Sequence, residues 1–257
     1  MSRIQELFQR KKNNILNVYC TAGFPVLNST LPVMMALQQA GADMIELGMP
    51  YSDPLADGPV IQSSSAVALA NGMTIARLFQ QLKNFRKEIQ LPVLLMGYMN
   101  PVLQYGFEKF CQDAAAAGVD GLILPDLPIF EFEKEYGPLI RKYQLDFVFL
   151  VTPETAATRI QKLDALSTGF LYAVSSSSTT GGNKELSDQA AYFKRLRSMN
   201  LRNPVLIGFG IKDKESFSKA CSYANGAIIG TAYIKALTGA EPEDIEPRTN
   251  IFLKTLS

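Results

Sequence analysis

Apolar and polar residues follow two alternating rhythms along the chain. Short runs rich in branched apolar residues predict eight β-strands, each followed by a polar loop and then by a segment with helical spacing. The predicted strands cover residues 15–22, 43–49, 93–98, 121–125, 147–152, 170–175, 205–210 and 227–230. The predicted helices cover residues 30–40, 75–88, 107–117, 130–143, 156–166, 185–199, 214–223 and 244–256. A polar amphipathic helix from Ser2 to Lys12, capped by Ser2, precedes them.

Strict alternation of strand and helix predicts a parallel sheet covered by helices. Eight repeats in 257 residues favour an α/β fold of one kind, a single (β/α)8 TIM barrel with an extra N-terminal helix. An open doubly wound sheet is the alternative, but no G-x-G-x-x-G follows the first predicted strand. No linker-like or charge-rich stretch divides the sequence, so we expect one catalytic domain over residues 1–257.

Composition narrows the class of protein. Hydrophobic residues make up 47% of the chain and charged residues 19%, which is enough apolar material for a large core. A net charge of +1 without basic clusters argues against nucleic-acid binding, and no apolar run approaches membrane-spanning length. Cys20, Cys111 and Cys221 are far apart, and the chain has no histidine, so we expect reduced thiols, no metal site and a cytoplasmic protein.

Two carboxylates stand out around the second predicted strand. Glu46 lies within the apolar strand, and Asp57 follows in a loop rich in proline, glycine and aspartate. Strand alternation directs Glu46 toward the barrel mouth, opposite an all-apolar face. Without histidine, carboxylates with different pKa values are the best candidates for proton chemistry near neutral pH. The alternatives are a buried Glu46 satisfied by backbone donors or a lysine, and an Asp57 that only caps a helix.

Glycine turns end the last two predicted strands. They read Gly-Phe-Gly-Ile at 208–211 and Ile-Gly-Thr-Ala at 229–232, where the chain runs into a helix. In TIM barrels this is a common place for a phosphate bound by backbone N–H groups, although tight turns without a ligand would look alike. The long small-residue loop after the sixth strand, at 175–183, is interpreted as a lid over substrate or else as a linker.

One long motif is specific. It reads Glu-Leu-Gly-x-Pro-x-Ser-Asp-Pro-x-Ala-Asp-Gly-Pro-x-Ile-Gln from Glu46 to Gln62, with shorter motifs at 21–25, 96–101, 125–128 and 208–210. With these motifs nearly the whole chain resembles the tryptophan synthase alpha subunit family. The resemblance implies a TIM barrel that cleaves indole-3-glycerol phosphate to indole and glyceraldehyde 3-phosphate. It also implies an α2β2 complex with a β subunit that carries pyridoxal phosphate, and no cofactor in this chain.

The resemblance also implies roles for individual residues. Glu46 and Asp57 would be the catalytic acids. The implied substrate-binding residues are Phe24, Tyr98, Ile123, Tyr172, Thr180, Gly181, Gly210, Gly230 and Thr231. Of these, Phe24, Tyr98 and Ile123 would lie near the indole, Thr180 would position Asp57 from the lid, and the three glycines with Thr231 would hold the phosphate. The family more often has serine at position 231 and Gly-Val-Thr-Gly at 178–181, so the lid departs from its pattern.

The reaction itself calls for two acids. Cleavage requires protonation of indole C3, which leaves positive charge on the ring, and removal of the proton from the adjacent hydroxyl. A buried Glu46 suits both proton transfers, and an ionised Asp57 suits the ring charge. The alternatives are a free-standing indole-3-glycerol-phosphate lyase, another phosphate-binding barrel isomerase, and a non-catalytic subunit that only activates a β partner.

Overall fold

The computed structural model describes residues 1–174, 189–208 and 210–256. Parallel strands in this part of the chain form one sheet in the order β5-β4-β3-β2-β1-β9-β8-β7-β6. Their bounds are β1 Ile15–Thr21, β2 Met44–Gly48, β3 Val93–Met96, β4 Gly121–Ile123, β5 Asp146–Phe147, β6 Phe149–Val151, β7 Leu171–Val174, β8 Val205–Gly208 and β9 Gly226–Ile229.

The sheet closes on itself through one continuous segment. β5 pairs with β4, β6 pairs with β7, and Val148 alone separates β5 from β6. The Val148 N–H donates to the Leu122 carbonyl at 3.1 Å, so the two ends of the sheet are one interrupted strand. The predicted TIM barrel is confirmed, with the predicted strand 147–152 divided because its first part bonds one neighbour and its second part the other.

Helices cover the outside of the barrel and separate the strands. They are α1 Arg3–Arg10, α2 Thr30–Gln39, α3 Pro59–Ala70, α4 Ile75–Gln81, α5 Met99–Tyr105, α6 Phe107–Ala117, α7 Ile129–Glu131, α8 Gly137–Lys142, α9 Ala157–Leu166, α10 Ala190–Ser198, α11 Lys214–Tyr223, α12 Thr231–Leu237 and α13 Ile245–Lys254. A π-helical turn, Phe132–Tyr136, joins α7 to α8. No helix among the described residues is long and apolar enough to cross a membrane.

One predicted helix is shorter than expected, and two helices of the structure were not predicted. The predicted helix 75–88 ends at Gln81, because Asn84 adopts a left-handed conformation with φ 67° before a separate 3-10 turn. Helix α3 was not predicted; Pro59 starts it at the first helical position, where proline costs no hydrogen bond. Helix α5 was also missed, and of the predicted helix 185–199 residues 185–188 lie outside the described residues.

The N-terminal helix closes one end of the barrel. Ser2 caps α1 through a capping box, as predicted. Ile4 and Leu7 are buried with the inward-facing strand residues, and the Phe8 and Phe170 ring centroids lie 6.3 Å apart. This floor fills the end where the strands begin. The end of the barrel that is available to a ligand is therefore the opposite one, at the carboxyl ends of the strands.

Candidate active site

Two tyrosine rings lie across two inward-facing glycines near the carboxyl ends of the strands. A Cβ on Gly48 of β2 would come within 2.1 Å of the Tyr19 hydroxyl. A Cβ on Gly208 of β8 would come within 2.3 Å of the Tyr172 ring. Both glycines are therefore needed for the rings to occupy these positions, since real Cβ contacts are never this close. Tyr19 and Tyr172 form part of the wall of a cavity at this end of the barrel.

Glu46 lies in the middle of β2 and is fully buried inside the barrel. The Asn17 amide of β1 donates to its Oε1 at 2.6 Å, and its Oε2 has no hydrogen-bond partner among the described residues. Burial raises the pKa of Glu46 to about 8, and the Asn17 hydrogen bond opposes that rise. Glu46 is therefore mostly protonated at neutral pH and can give or take a proton close to it.

Asp57 lies on the cavity wall, in the loop between β2 and α3. Burial raises its pKa, and a hydrogen bond with the Tyr98 hydroxyl lowers it. The same hydroxyl accepts the Ala56 N–H at 3.2 Å. Gly58, rather than Asp57, is the N-cap residue of α3, and it makes no side-chain cap. Capping therefore does not account for the Asp57 carboxylate.

The loop that carries Asp57 is tied to the next two loops of the barrel. Asn100 donates to the Tyr51 hydroxyl at 2.9 Å, and the Tyr51 and Tyr98 ring centroids lie 5.6 Å apart. The Met99 N–H at the start of α5 donates to the Asp126 carboxylate at 3.0 Å. The loops after β2, β3 and β4 thus hold Tyr98, the hydrogen-bond partner of Asp57.

The cavity brings together many of the predicted site residues. Its volume is about 440 Å³ including its open mouth. Its lining residues are Tyr19, Asp57, Ile61, Met96, Tyr172, Gly210, Ile211, Ile228, Gly230 and Thr231. Burial raises the pKa of Tyr172, and the charges of Glu46 and Asp57 raise it further. Tyr172 therefore lies near both carboxyl groups.

Gly210 and Gly230 lie at the side of the cavity formed by the loops after β8 and β9. Gly210 has φ 76°, a conformation that favours glycine. Gly230 is the N-cap of α12, and Thr231 is its first residue. The first N–H groups of a helix have no partner within the helix and are available to an anion.

The remaining predicted residues are placed differently. Ile123 is fully buried in the inward-facing cluster, and Phe24 packs in the larger cluster between strands and helices, so neither lines the cavity. Glu46 and Tyr98 are also not lining residues: Glu46 is fully buried, and Tyr98 contacts the site through Asp57. Thr180, Gly181 and the whole predicted lid lie outside the described residues. Sequence reasoning missed Tyr19 and Asn17. A polar amide among apolar residues of the first strand was the available signal for Asn17.

Comparison with known proteins identifies the family of this barrel. A family model described as tryptophan synthase alpha chain matches residues 4–255. The chain belongs to the tryptophan synthase alpha chain family. The tryptophan synthase alpha chain of Flavobacterium psychrophilum is 51% identical over 93% of this chain and 94% of its own length. That of Parabacteroides distasonis is 49% identical over 92% and 93%.

Solved structures agree with this assignment. Tryptophan synthase subunit alpha from Legionella pneumophila superposes with a TM-score of 0.90 at 34% identity, over 100% of this chain and 97% of its own. A tryptophan synthase structure from Mycobacterium tuberculosis gives 0.88 at 32% identity, over 99% and 96%. The predicted family and activity are confirmed: the chain is an enzyme subunit of tryptophan biosynthesis that cleaves indole-3-glycerol phosphate.

Proposed function

We propose that Glu46 and Asp57 are the catalytic groups with which this chain cleaves indole-3-glycerol phosphate, and that no cofactor takes part. One observation carries the proposal. Tyr172 and Asp57 line the cavity, and the charges of both Asp57 and the buried Glu46 act on Tyr172, so both carboxyl groups lie close to this space. The reaction needs one group that transfers protons and one that stabilises the charge of the ring, and two carboxyl groups can divide these tasks.

Glu46 performs both proton transfers in this mechanism. Its protonated carboxyl, the form favoured by a pKa of about 8, gives its proton to indole C3. The resulting carboxylate then takes the proton of the hydroxyl next to the scissile bond. As the hydroxyl becomes the aldehyde, the electrons of the C–C bond return to the indole ring. Indole and glyceraldehyde 3-phosphate are released, and Glu46 is protonated again.

Asp57 stabilises the positive charge that the ring acquires when C3 is protonated. Burial raises the pKa of Asp57, and the hydrogen bond with Tyr98 opposes that rise and supports the ionised carboxylate. A carboxylate at the ring N–H contributes mainly in the transition state, because the substrate ring is neutral. The apolar wall that includes Ile61, Met96 and Ile228 suits the flat ring of indole.

The phosphate is assigned to the glycine side of the cavity. We place it against the backbone N–H groups of Gly210, Gly230 and Thr231, with Gly181 as the further predicted contact. A crystal structure with glycerol 3-phosphate tests this placement. A phosphate held elsewhere by lysine or arginine side chains would contradict it.

Substitution of the two acids tests the catalytic assignment. We expect Glu46→Gln to fold and to lose about 10²- to 10⁴-fold in kcat, because an amide transfers no proton. We expect Asp57→Asn to lose about 10²- to 10³-fold in kcat with a smaller change in KM. Indole release from indole-3-glycerol phosphate is the readout. A folded Glu46→Gln variant with ordinary turnover would remove Glu46 from the mechanism.

The partner assigned to this chain is a tryptophan synthase β subunit in an α2β2 complex, with pyridoxal phosphate held by that subunit. Exposed apolar side chains support a docking face beside the site. Leu55 is 81% exposed in the Asp57 loop, Leu103 is exposed on α5, and Phe130 is 69% exposed on α7. These residues follow β2, β3 and β4, three adjacent strands, and their loops are hydrogen-bonded to one another. A partner on this face would order the Asp57 loop.

Phe130→Ser tests the docking face. We expect the variant to bind a cognate β subunit at least tenfold more weakly, since a large exposed aromatic is a common binding anchor. Ile251→Ser, an equally exposed apolar residue on α13, is the matched control and should bind normally. If the isolated chain already cleaves the substrate at full rate, and no β subunit changes that rate, the chain is a free-standing lyase instead. The free thiols of all three cysteines fit a cytoplasmic location for this complex.

A further inference from the structure

We propose that Asn17 is a positioning residue for Glu46, holding one carboxyl oxygen and stabilising the negative charge left on Glu46 once its proton has gone to the substrate. The inference rests on the catalytic role proposed above for Glu46. Asn17 itself touches no cavity space and acts only through Glu46.

The geometry gives Asn17 a defined place below the site. The strand register aligns Asn17 with Met44 and Tyr19 with Glu46, so Asn17 lies one inward residue closer to the α1 floor. From there its Nδ2 donates to Glu46 Oε1 at 2.6 Å, with both side chains fully buried. Glu46 Oε2 is left without a hydrogen-bond partner among the described residues. Asn17 holds one oxygen, and we assign proton transfer to the other.

An amide at this position is costly for packing alone. The inward residues beside Asn17 in the register, Ile15, Met44 and Ile228, are all apolar and buried. The Asn17 Oδ1 has no hydrogen-bond partner among the described residues, which is a cost an apolar side chain would not carry. Its bond to Glu46 is the interaction that offsets this cost.

The surroundings of Glu46 give its carboxylate little other support. Tyr19 lies beside Glu46 in the strand register, and the charge of Glu46 acts on Tyr172 of β7 and on Cys20 of β1. Burial raises the pKa of all three, so all are neutral at neutral pH. Asp57 is the other charged group near this side of Tyr172, and it carries negative charge. Burial raises the pKa of Glu46, and the Asn17 bond is what lowers it. Among the residues that the structure describes, Asn17 therefore favours the transient carboxylate most.

Asn17→Leu tests the inference with a side chain of nearly the same shape. We expect kcat to fall about 10- to 100-fold, because a hydrogen bond to a charged group is lost when Glu46 deprotonates. KM should stay within about threefold. The alkaline limb of the pH profile of kcat/KM should move up by about one pH unit, because the unsupported carboxylate forms less readily. If Asn17→Leu does not fold, Asn17→Thr is measured in the same way.

Ile15→Val is the matched control on the same strand and face. It removes one methylene from the barrel interior without touching Glu46, so its pH profile should match wild type. An Asn17 variant with an unmoved alkaline limb, whether active or slowed, would assign Asn17 to packing and overturn the inference. Glu46→Gln measured in parallel separates the two proposals: if that variant is active, the proposed function fails, and if only Asn17→Leu is indifferent, only this inference fails.

Discussion

At the scale of single residues, the site depends on a carboxyl group kept where ionisation is costly. Glu46 is fully buried and has one hydrogen-bonded oxygen. Its pKa of about 8 means that folding favours its protonated form. Stability from this group is complete below the pKa of an unfolded glutamate, about 4.5, and is lost as pH rises through about 8. Catalytic usefulness is therefore gained at the expense of alkaline stability.

Glu46→Gln should reveal this loss of stability at alkaline pH. The amide has the same shape and does not ionise, so the variant should match wild type near pH 4 and unfold at higher denaturant concentration above pH 8. The gain in the free energy of unfolding should reach a few kcal/mol. Urea titrations at several pH values measure it. An offset between the two proteins that stays constant from pH 5 to pH 9 would contradict the raised pKa.

At the scale of elements, a glycine on each of two strands leaves space for a tyrosine side chain of the neighbouring strand. Gly48 of β2 makes room for Tyr19 of β1, and Gly208 of β8 makes room for Tyr172 of β7. Both glycines face inward at the carboxyl ends of their strands. The cavity wall is thus built from pairs of strands, and neither strand of a pair forms it alone.

Gly208→Ala should therefore disturb the site through Tyr172. The new methyl group would lie 2.3 Å from the ring, so the ring must shift, at a cost of about 1–3 kcal/mol in stability. We expect kcat/KM to fall by about tenfold or more. Gly169→Ala is the control, since its methyl group would meet Val148 at an ordinary 3.4 Å. Equal activity in the two variants would show that the Tyr172 position is not required.

Some of these elements could be predicted from sequence, and others depend on partners far away in the chain. Alternation along 43–49 correctly directs Glu46 inward, because that pattern is local. Helix α3 was missed because serines at 63–65 obscure its apolar face, although Ser64 is buried and bonds the Thr21 hydroxyl at 2.7 Å. Tyr19 resembles an ordinary core aromatic, and only Gly48 on the next strand reveals its place in the cavity.

At the scale of the whole molecule, the ends of the barrel have separate tasks. The cavity and the carboxyl groups lie at one end, and α1 closes the other. An ion cluster fixes the closed end: Asp120 pairs with Arg3 at 3.0 Å and with Arg86, and accepts the Val93 N–H at 2.7 Å. The Asp120 side chain is buried, so its partners depend on it. We propose that the whole chain acts as one catalytic domain.

Asp120→Ala should separate stability from activity. Removing it leaves Arg86 without its buried partner, and we expect a loss of about 3 kcal/mol in the free energy of unfolding. Turnover at 25 °C should remain, since the cluster lies at the end away from the cavity. Asp113→Ala, which breaks a more exposed pair with Lys109 on α6, should cost less than about 1 kcal/mol. Similar losses in the two variants would contradict the importance of burial.

Because the barrel is closed, the first strand is paired on both edges only after the last strand has been synthesised. β1 pairs with β2 on one edge and with β9 on the other, and Ile15 pairs with Gly226 on that second edge. Any sheet that forms before β9 is synthesised leaves backbone groups along one edge of β1 unpaired, and another chain can pair with them. The risk of pairing with another chain ends only when β9 has left the ribosome. Chains that end before β9 would therefore be prone to aggregation as well as inactive.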